Sequence, residues 1–341
     1  MRGALAGRAI FVGVAVLALV VMPLLLEPFR LGLLAKYLCY AIVALGIGLA
    51  WGQGGMLTLG QGVFFGLGGY AMGMYLKLND AGGDLPDFMV WSGVDRLPAL
   101  WEPFRNPIFA IAAVLVVPAA VAVALGILVF RQRVRGAYFA ILTQALAAAM
   151  VILLVGQQGL TGGTNGLTNF FDFFGHDVAA EETQRGLYIV VAVVLGVLYL
   201  AAWQLVRSRF GRLLLAVRDG EDRVRFLGYN PATVKTITFA ISAAMAGIAG
   251  ALFVPVVGII SPALLGVVPS LELVVAVAVG GRYTLAGAVL GAVVMGYAKT
   301  YFSEELPAAW LYLQGALFIL VISLAPKGIV GLLRRRGHEF A

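Results

Sequence analysis

PIFAIAAVLVVPAAVAVALGILVF, residues 107–130, runs without one charged side chain and is closed by Arg131. A hydrocarbon core about 30 Å thick is crossed by about 20 apolar residues of helix, so this stretch is long enough to span it. Apolar runs of similar length recur along the 341 residues, and charged residues make up only 12% of the chain. That is half the roughly 25% of an average soluble domain. The expectation is an all-α protein, a polytopic transmembrane helical bundle forming a single domain over 1–341. Spans are expected at 10–26, 31–50, 56–76, 107–130, 137–155, 187–206, 236–257, 260–281, 285–302 and 310–325, about ten crossings.

The segments between these runs alternate in charge. Residues 1–9 carry +2, 131–136 carry +3, 207–235 carry +4 and 327–341 carry +3, against −2 for 77–106, −3 for 156–186 and −2 for 303–309. Lys and Arg set orientation, so the first group is expected in the cytoplasm, with both termini there. The net charge of +7 therefore reflects topology, and no nucleic-acid partner is expected. Residues 1–26 resemble a signal peptide, with Arg2 and Arg8 before an apolar run, but more spans follow and the run reads as a retained first helix. The single cysteine, Cys39, excludes a disulfide framework.

The span at 260–281 contains Pro262, Gly266 and Pro269, so it reads as a broken crossing or a re-entrant loop. Non-helical backbone at membrane depth is tolerated only where protein or a water-filled cavity surrounds it. A possible two-fold internal repeat accompanies it. GGMLTLGQGVFFG from Gly54 and GGRYTLAGAVLGA from Gly280 share GG, TL and a Val in register, and parallel repeats occur in transporters.

Catalysis is not expected. His176 and His338 fall in an external loop and near the C-terminus, and no G-x-x-x-x-G-K-[ST] exists to bind a nucleotide. No cofactor is implied. The glycines at 60, 62, 66, 68, 69 and 73 crowd one helix and let neighbouring backbones approach. Gln53, Thr58, Gln61 and Tyr70 are polar residues on or before that helix, facing either other helices or a wet pathway. LTGGTNGL (160–167), with Thr164 and Asn165, suits tight external turns and either lines an outer mouth or closes a loop. Glu272 places a carboxylate at membrane depth, a functional candidate by type. It also suits a first helical turn capped by Ser270. Lys36 and Lys299 lie near span ends, where they can snorkel.

Residues 207–235 hold seven basic and three acidic side chains. The pattern reads as two short helices, 212–219 and 221–227, with Val224 and Leu227 on one face, Gly228 as C-cap and Pro231 as a stop. Such a pair suits a docking surface for a cytoplasmic partner, or else a basic loop resting on anionic headgroups.

SRFGRLLLAVRDGEDRVRFLGYNPATVKTITFAISAAMAGIAGALF, GQGVFFGLGGYAMGMY, LTGGTNGL, and SLELVVAVAVGG with TLAGAVLGA together resemble, in order, the permeases of branched-chain amino acid and urea ABC transporters. These blocks extend over 51–301. GQGVFFGLGGYAMGMYLK and LPDFMVW look most like the longer permease subunit of the urea transporter, and Gln61 stands where amino-acid members often carry a histidine. The chain departs from the family's last motif at Arg282, Tyr283 and Ala288. The resemblance implies an importer permease in the bacterial inner membrane. Its partners would be a homologous second permease subunit, two cytoplasmic ATP-binding subunits and an extracytoplasmic substrate-binding protein. It also implies that 207–235 couples to the ATPase, through Arg212, Ala216, Arg218, Asp219 and Gly228. Urea needs only neutral hydrogen-bonding groups along its path, such as those named above. A branched-chain amino acid importer is the alternative, and a passive small-solute channel is a further one, though it would leave 207–235 without a purpose.

Overall fold

The computed structural model describes residues 22–305 except 135, together with 309, 312–316, 319–320 and 328. Among the described residues, nine helices longer than ten residues carry the architecture: α1 (Pro28–Ile47), prolonged by a π turn (Gly48–Gln53), α2 (Gln61–Asp80), α3 (Pro107–Arg131), α4 (Ala137–Gly156), α5 (Glu181–Arg207), α6 (Arg209–Phe226), α7 (Pro231–Val257), α8 (Val267–Gly280) and α9 (Leu285–Glu305). Among the described residues, α1, α3, α4, α5, α7 and α9 are long and apolar enough to cross a membrane. The all-α polytopic bundle stands. The expected spans 10–26 and 310–325 fall mostly outside the described residues.

Burial separates central from peripheral helices. The most apolar windows of α1 and α7 are 78% and 61% buried, whereas that of α5 is 11% buried and presents its apolar surface outward, as lipid permits. Helix α2 needs no lipid-compatible face because nearly every side chain from Gln61 to Leu78 is buried in protein. It packs on α7 at backbone distance: a Cβ at Gly68 would lie 2.1 Å from the Gly247 carbonyl oxygen, and one at Gly250 would lie 1.8 Å from that of Phe65. Only glycine permits this approach. Phe64, Phe130, Phe139 and Phe239 join α2, α3, α4 and α7, with centroids 5.0–6.3 Å apart.

Several boundaries differ from expectation for local reasons. Helix α7 starts at Pro231 rather than 236, because Asn230 caps it (side chain accepting from Ala232 N, 3.0 Å) and proline suits the first turn. Pro231 thus opens a helix as well as closing the segment before it. Helix α5 starts at Glu181, with Glu181 and Glu182 at its positive end. Span 56–76 becomes α2 at Gln61, since residues 54–60 run without helix.

The segment 260–281 is broken, as expected, and its helix α8 is shorter than the candidate spans. Ile259–Ile260 pairs antiparallel with Leu167–Thr168 of the LTGGTNGL loop, a short turn follows (Pro262–Leu265), and only then does α8 begin. Just past its far end, Arg282 and Tyr283 lie against Gly52 at the end of the bundle that carries α6. The glycines at 62, 66, 69 and 73 form the face of α2 that receives this break: their nearest neighbours include Leu265 and Ile260. The LTGGTNGL loop closes over the break through left-handed Gly162, Gly163 and Gly166 (φ +58° to +78°), conformations glycine adopts without a Cβ penalty.

Candidate functional site

The start of α2 is built from partners distant in sequence. Leu59 N donates to Thr143 Oγ1 of α4 (3.0 Å), and Gly62 N donates to Ser270 Oγ of α8 (3.1 Å). Ser270 therefore does not cap α8, contrary to expectation. Gly266 occupies that position, and Glu272 lies beyond the first turn. The Gln61 amide reaches Ser242 of α7, Nε2 to Oγ 2.6 Å, while Oε1 has no partner among the described residues. Exchanging the two amide atoms leaves one of them unmet all the same. Thr58 Oγ1 and Tyr70 Oη are likewise buried and unpartnered. Three of the polar residues singled out from sequence thus keep spare hydrogen-bonding atoms, which buried groups rarely do unless water or a ligand meets them.

Gln53 has a different place. Its Nε2 donates to the carbonyl of Tyr283 (3.0 Å), tying the end of α1 to the α8–α9 turn. Arg218 of α6 donates through Nη1 to the Gly52 carbonyl (2.8 Å) and through Nε to Asp219 (2.8 Å), which holds the Asp219 carboxyl below its usual range. The Arg282 guanidinium lies 4.8 Å from the Trp51 ring centre and 4.7 Å from that of Tyr283. The departures at Arg282 and Tyr283 therefore belong to a junction of α1, α6 and the α8–α9 turn, and Ala288 packs beside Gly48.

Helix α6 breaks at Gly220, where the two short helices were expected to meet. Ser208 caps the first (Oγ accepting from Gly211 N, 3.2 Å). Arg212, Ala216 and Asp219 fall on one exposed stripe, while Leu214, Val217 and Val224 are buried on the other side. Leu227, expected beside Val224, is 76% exposed, with Phe226 at 93%. Gly228 ends the second helix at φ +87°. Glu221, at the break, pairs with Lys235 of α7 (2.5 Å) and Arg225 (3.3 Å).

The remaining candidates lie toward the opposite end. Thr164 and Asn165 are exposed on the closing loop. Glu272 accepts from Lys299 of α9 (2.6 Å), a partner 27 residues away that sequence spacing did not suggest. Thr143, Ser242 and Ser270 were missed as partners of α2; the only available signal was an isolated hydroxyl within an apolar run.

Residues 29–322 match the family described as branched-chain amino acid transport system permease component. The high-affinity branched-chain amino acid transport system permease protein LivM of Salmonella typhimurium is 25% identical over 97% of this chain and 77% of its own. LivM of Escherichia coli is 27% identical over 86% and 68%. LivH of Salmonella typhimurium is 27% identical over 86% and 91%. No solved structure matches the chain. The chain belongs to the branched-chain amino acid transport permease family, multi-pass membrane subunits of ABC transporters.

Proposed function

We propose that this chain is one of two permease subunits of an ATP-driven importer of branched-chain amino acids. The observation that carries the proposal is the likeness, across nearly the whole chain, to permeases named for that transport. One LivM alignment takes in 97% of this chain, while a second LivM alignment and the LivH alignment each take in 86%; a LivM-like place beside a LivH-like partner is the assignment adopted. Two ATP-hydrolysing subunits in the cytoplasm and an external binding protein complete the assembly.

The exposed stripe of Arg212, Ala216 and Asp219, with Phe226 and Leu227 beyond the break, is the surface offered to an ATPase. A push on α6 moves Arg218 and, through its bond, the Gly52 carbonyl. From there the chain continues without helix through 54–60 to Gln61. Motion at the coupling end is thereby carried along few covalent bonds to the buried polar start of α2. Two-state rearrangement of such packed contacts is the usual basis of switching.

Urea is the second reading, favoured by the spare neutral polar atoms of Thr58, Gln61 and Tyr70. Uptake of labelled leucine and labelled urea, in cells with and without this gene but with its partner subunits present, separates the two. Loss of leucine uptake alone is the expected result. Loss of urea uptake alone overturns the substrate assignment.

A further inference from the structure

Between α1, α8 and α9 lies a cavity of about 340 Å³ that neither the coupling junction nor the start of α2 occupies. Ligand pockets range over about 300–1,000 Å³, so this one suits a single small molecule. Its apolar wall includes Leu33, Tyr40, Phe65, Leu273, Ala276 and Met295. Lys36, Glu272 and Lys299 line it from three different helices, with Glu304 near the end of α9. Glu272 and Lys299 are joined at 2.6 Å, whereas Lys36 makes no ion pair among the described residues.

Lys36 lies eight residues into α1, about 12 Å along the helix axis. An ammonium at that depth is costly against lipid and is found facing a wet cavity or a counter-charge. Lys299, also on the cavity wall, is 48% exposed. Glu304 balances the count of charges, but Lys36 makes no ion pair among the described residues, so its ammonium is open to a ligand carboxylate. The apolar wall of the cavity adds a second requirement that an inorganic anion would not meet.

We infer that this cavity binds the zwitterionic head of an α-amino acid, with its carboxylate between Lys36 and Lys299 and its ammonium on Glu272. The branched aliphatic side chain then rests on Leu33, Leu273 and Met295. This deepens the importer reading and rests on it. Both ligand charges meet a partner, whereas urea brings none and leaves Lys36 unpaired. The site thus selects for amino acids inside the permease as well as outside it.

The test uses the assembled transporter in proteoliposomes, with Cys39→Ala and Leu33→Cys giving this chain one thiol, on the cavity wall, and labelling read on this chain alone. The rate of maleimide labelling is measured with leucine, leucinamide, isovalerate or urea present. Leucine at about ten times its half-effect concentration slows labelling about tenfold by mass action, and the other three do not. The protection disappears in Lys36→Met and returns in Lys36→Arg. Undiminished protection in Lys36→Met, or equal protection by leucinamide, overturns the site. A labelling rate that follows the anionic-lipid content of the vesicles, and ignores leucine, also overturns it and gives the cavity to a headgroup. Leucine uptake by the same vesicles reads the importer assignment separately. Protection without uptake keeps the site and removes that assignment; uptake without protection does the reverse.

Discussion

Gly52→Ala is the sharpest perturbation of the junction between α1, α6 and the α8–α9 turn. A Cβ at Gly52 would lie 1.7 Å from the Arg282 carbonyl oxygen and 2.8 Å from its carbon. Both are backbone atoms, so no rotamer change relieves the clash. Reaching even 3.0 Å needs a displacement of about 1.3 Å, in the range where overpacking costs about 1–3 kcal/mol. The same displacement strains the Arg218 bond to Gly52 and the Gln53 bond to Tyr283. A hydrogen bond from a charged donor contributes about 1.5–3 kcal/mol. These costs share atoms and do not add fully, so a net of about 3 kcal/mol is expected. That is roughly a hundredfold shift in the equilibrium of the junction. The assay is leucine uptake and ATP hydrolysis in the same proteoliposomes, with thermal unfolding of the purified complex alongside. Gly196→Ala on α5, where nothing lies within 4 Å, is the control. The expected result is that Gly52→Ala keeps ATP hydrolysis, loses uptake about tenfold or more, and unfolds several degrees lower, while Gly196→Ala matches the parent. Normal uptake and an unchanged unfolding temperature in Gly52→Ala would refute the claim that α1 and the α8–α9 turn meet at backbone distance.

Gly66→Ala places its Cβ 2.0 Å from Leu265 Cγ; alone it costs about 2 kcal/mol, and Leu265→Ala alone costs about 2–4 kcal/mol. Together they should cost at least about 1 kcal/mol less than their sum in thermal unfolding, and strict additivity would place Leu265 elsewhere. Lys235→Met removes the partner of Glu221; the expected loss is about 2 kcal/mol, below the 3–5 of a fully broken buried pair because Arg225 remains. Its readout is faster proteolysis within 220–230, which an idle pair would not produce. Gln61→Leu replaces an amide whose second atom is unmet. Uptake should fall while the assembled complex keeps its unfolding temperature within about 2 °C, since leucine of similar size offsets the lost Ser242 bond. A large loss of stability would make Gln61 a structural residue.

Much of the fold was legible because hydropathy and charge act locally. Apolar runs marked the spans, and the break at Gly220 was written in DGE between two basic, amphipathic stretches. Arg212, Ala216 and Asp219, which the family resemblance singled out, fall on one exposed stripe of α6. What escaped were features decided by distant partners. Helix α2 starts at Gln61 because Thr143 and Ser270, 84 and 208 residues away, take the backbone donors on either side of it. Pro231 reads as a stop, whereas Asn230-Pro231 opens α7, and Lys235 inside that helix is paired with Glu221. Arg218 looked like one more exposed coupling charge. Its partner is a carbonyl 166 residues away, which no side-chain pattern records.

The glycines of α2 connect these two kinds of information. Their crowding was visible in the sequence, and packing was the natural reading of it. What they pack against was not visible, because the break at 258–266 is defined only by the tertiary structure that surrounds it. Backbone polar groups freed at membrane depth must find partners in protein. Here Ile260 finds Leu167 of the closing loop, and Ser270 beyond the break binds Gly62. A helix with larger side chains on that face would hold the broken segment away and expose it to lipid. The glycine face and the broken segment therefore require each other, and the helix that carries that face is the one whose first residue is the half-satisfied Gln61. Packing that accommodates an irregular segment and polar groups that await a partner meet at the same few residues. It is there that the bonded path from α6 through Gly52 arrives.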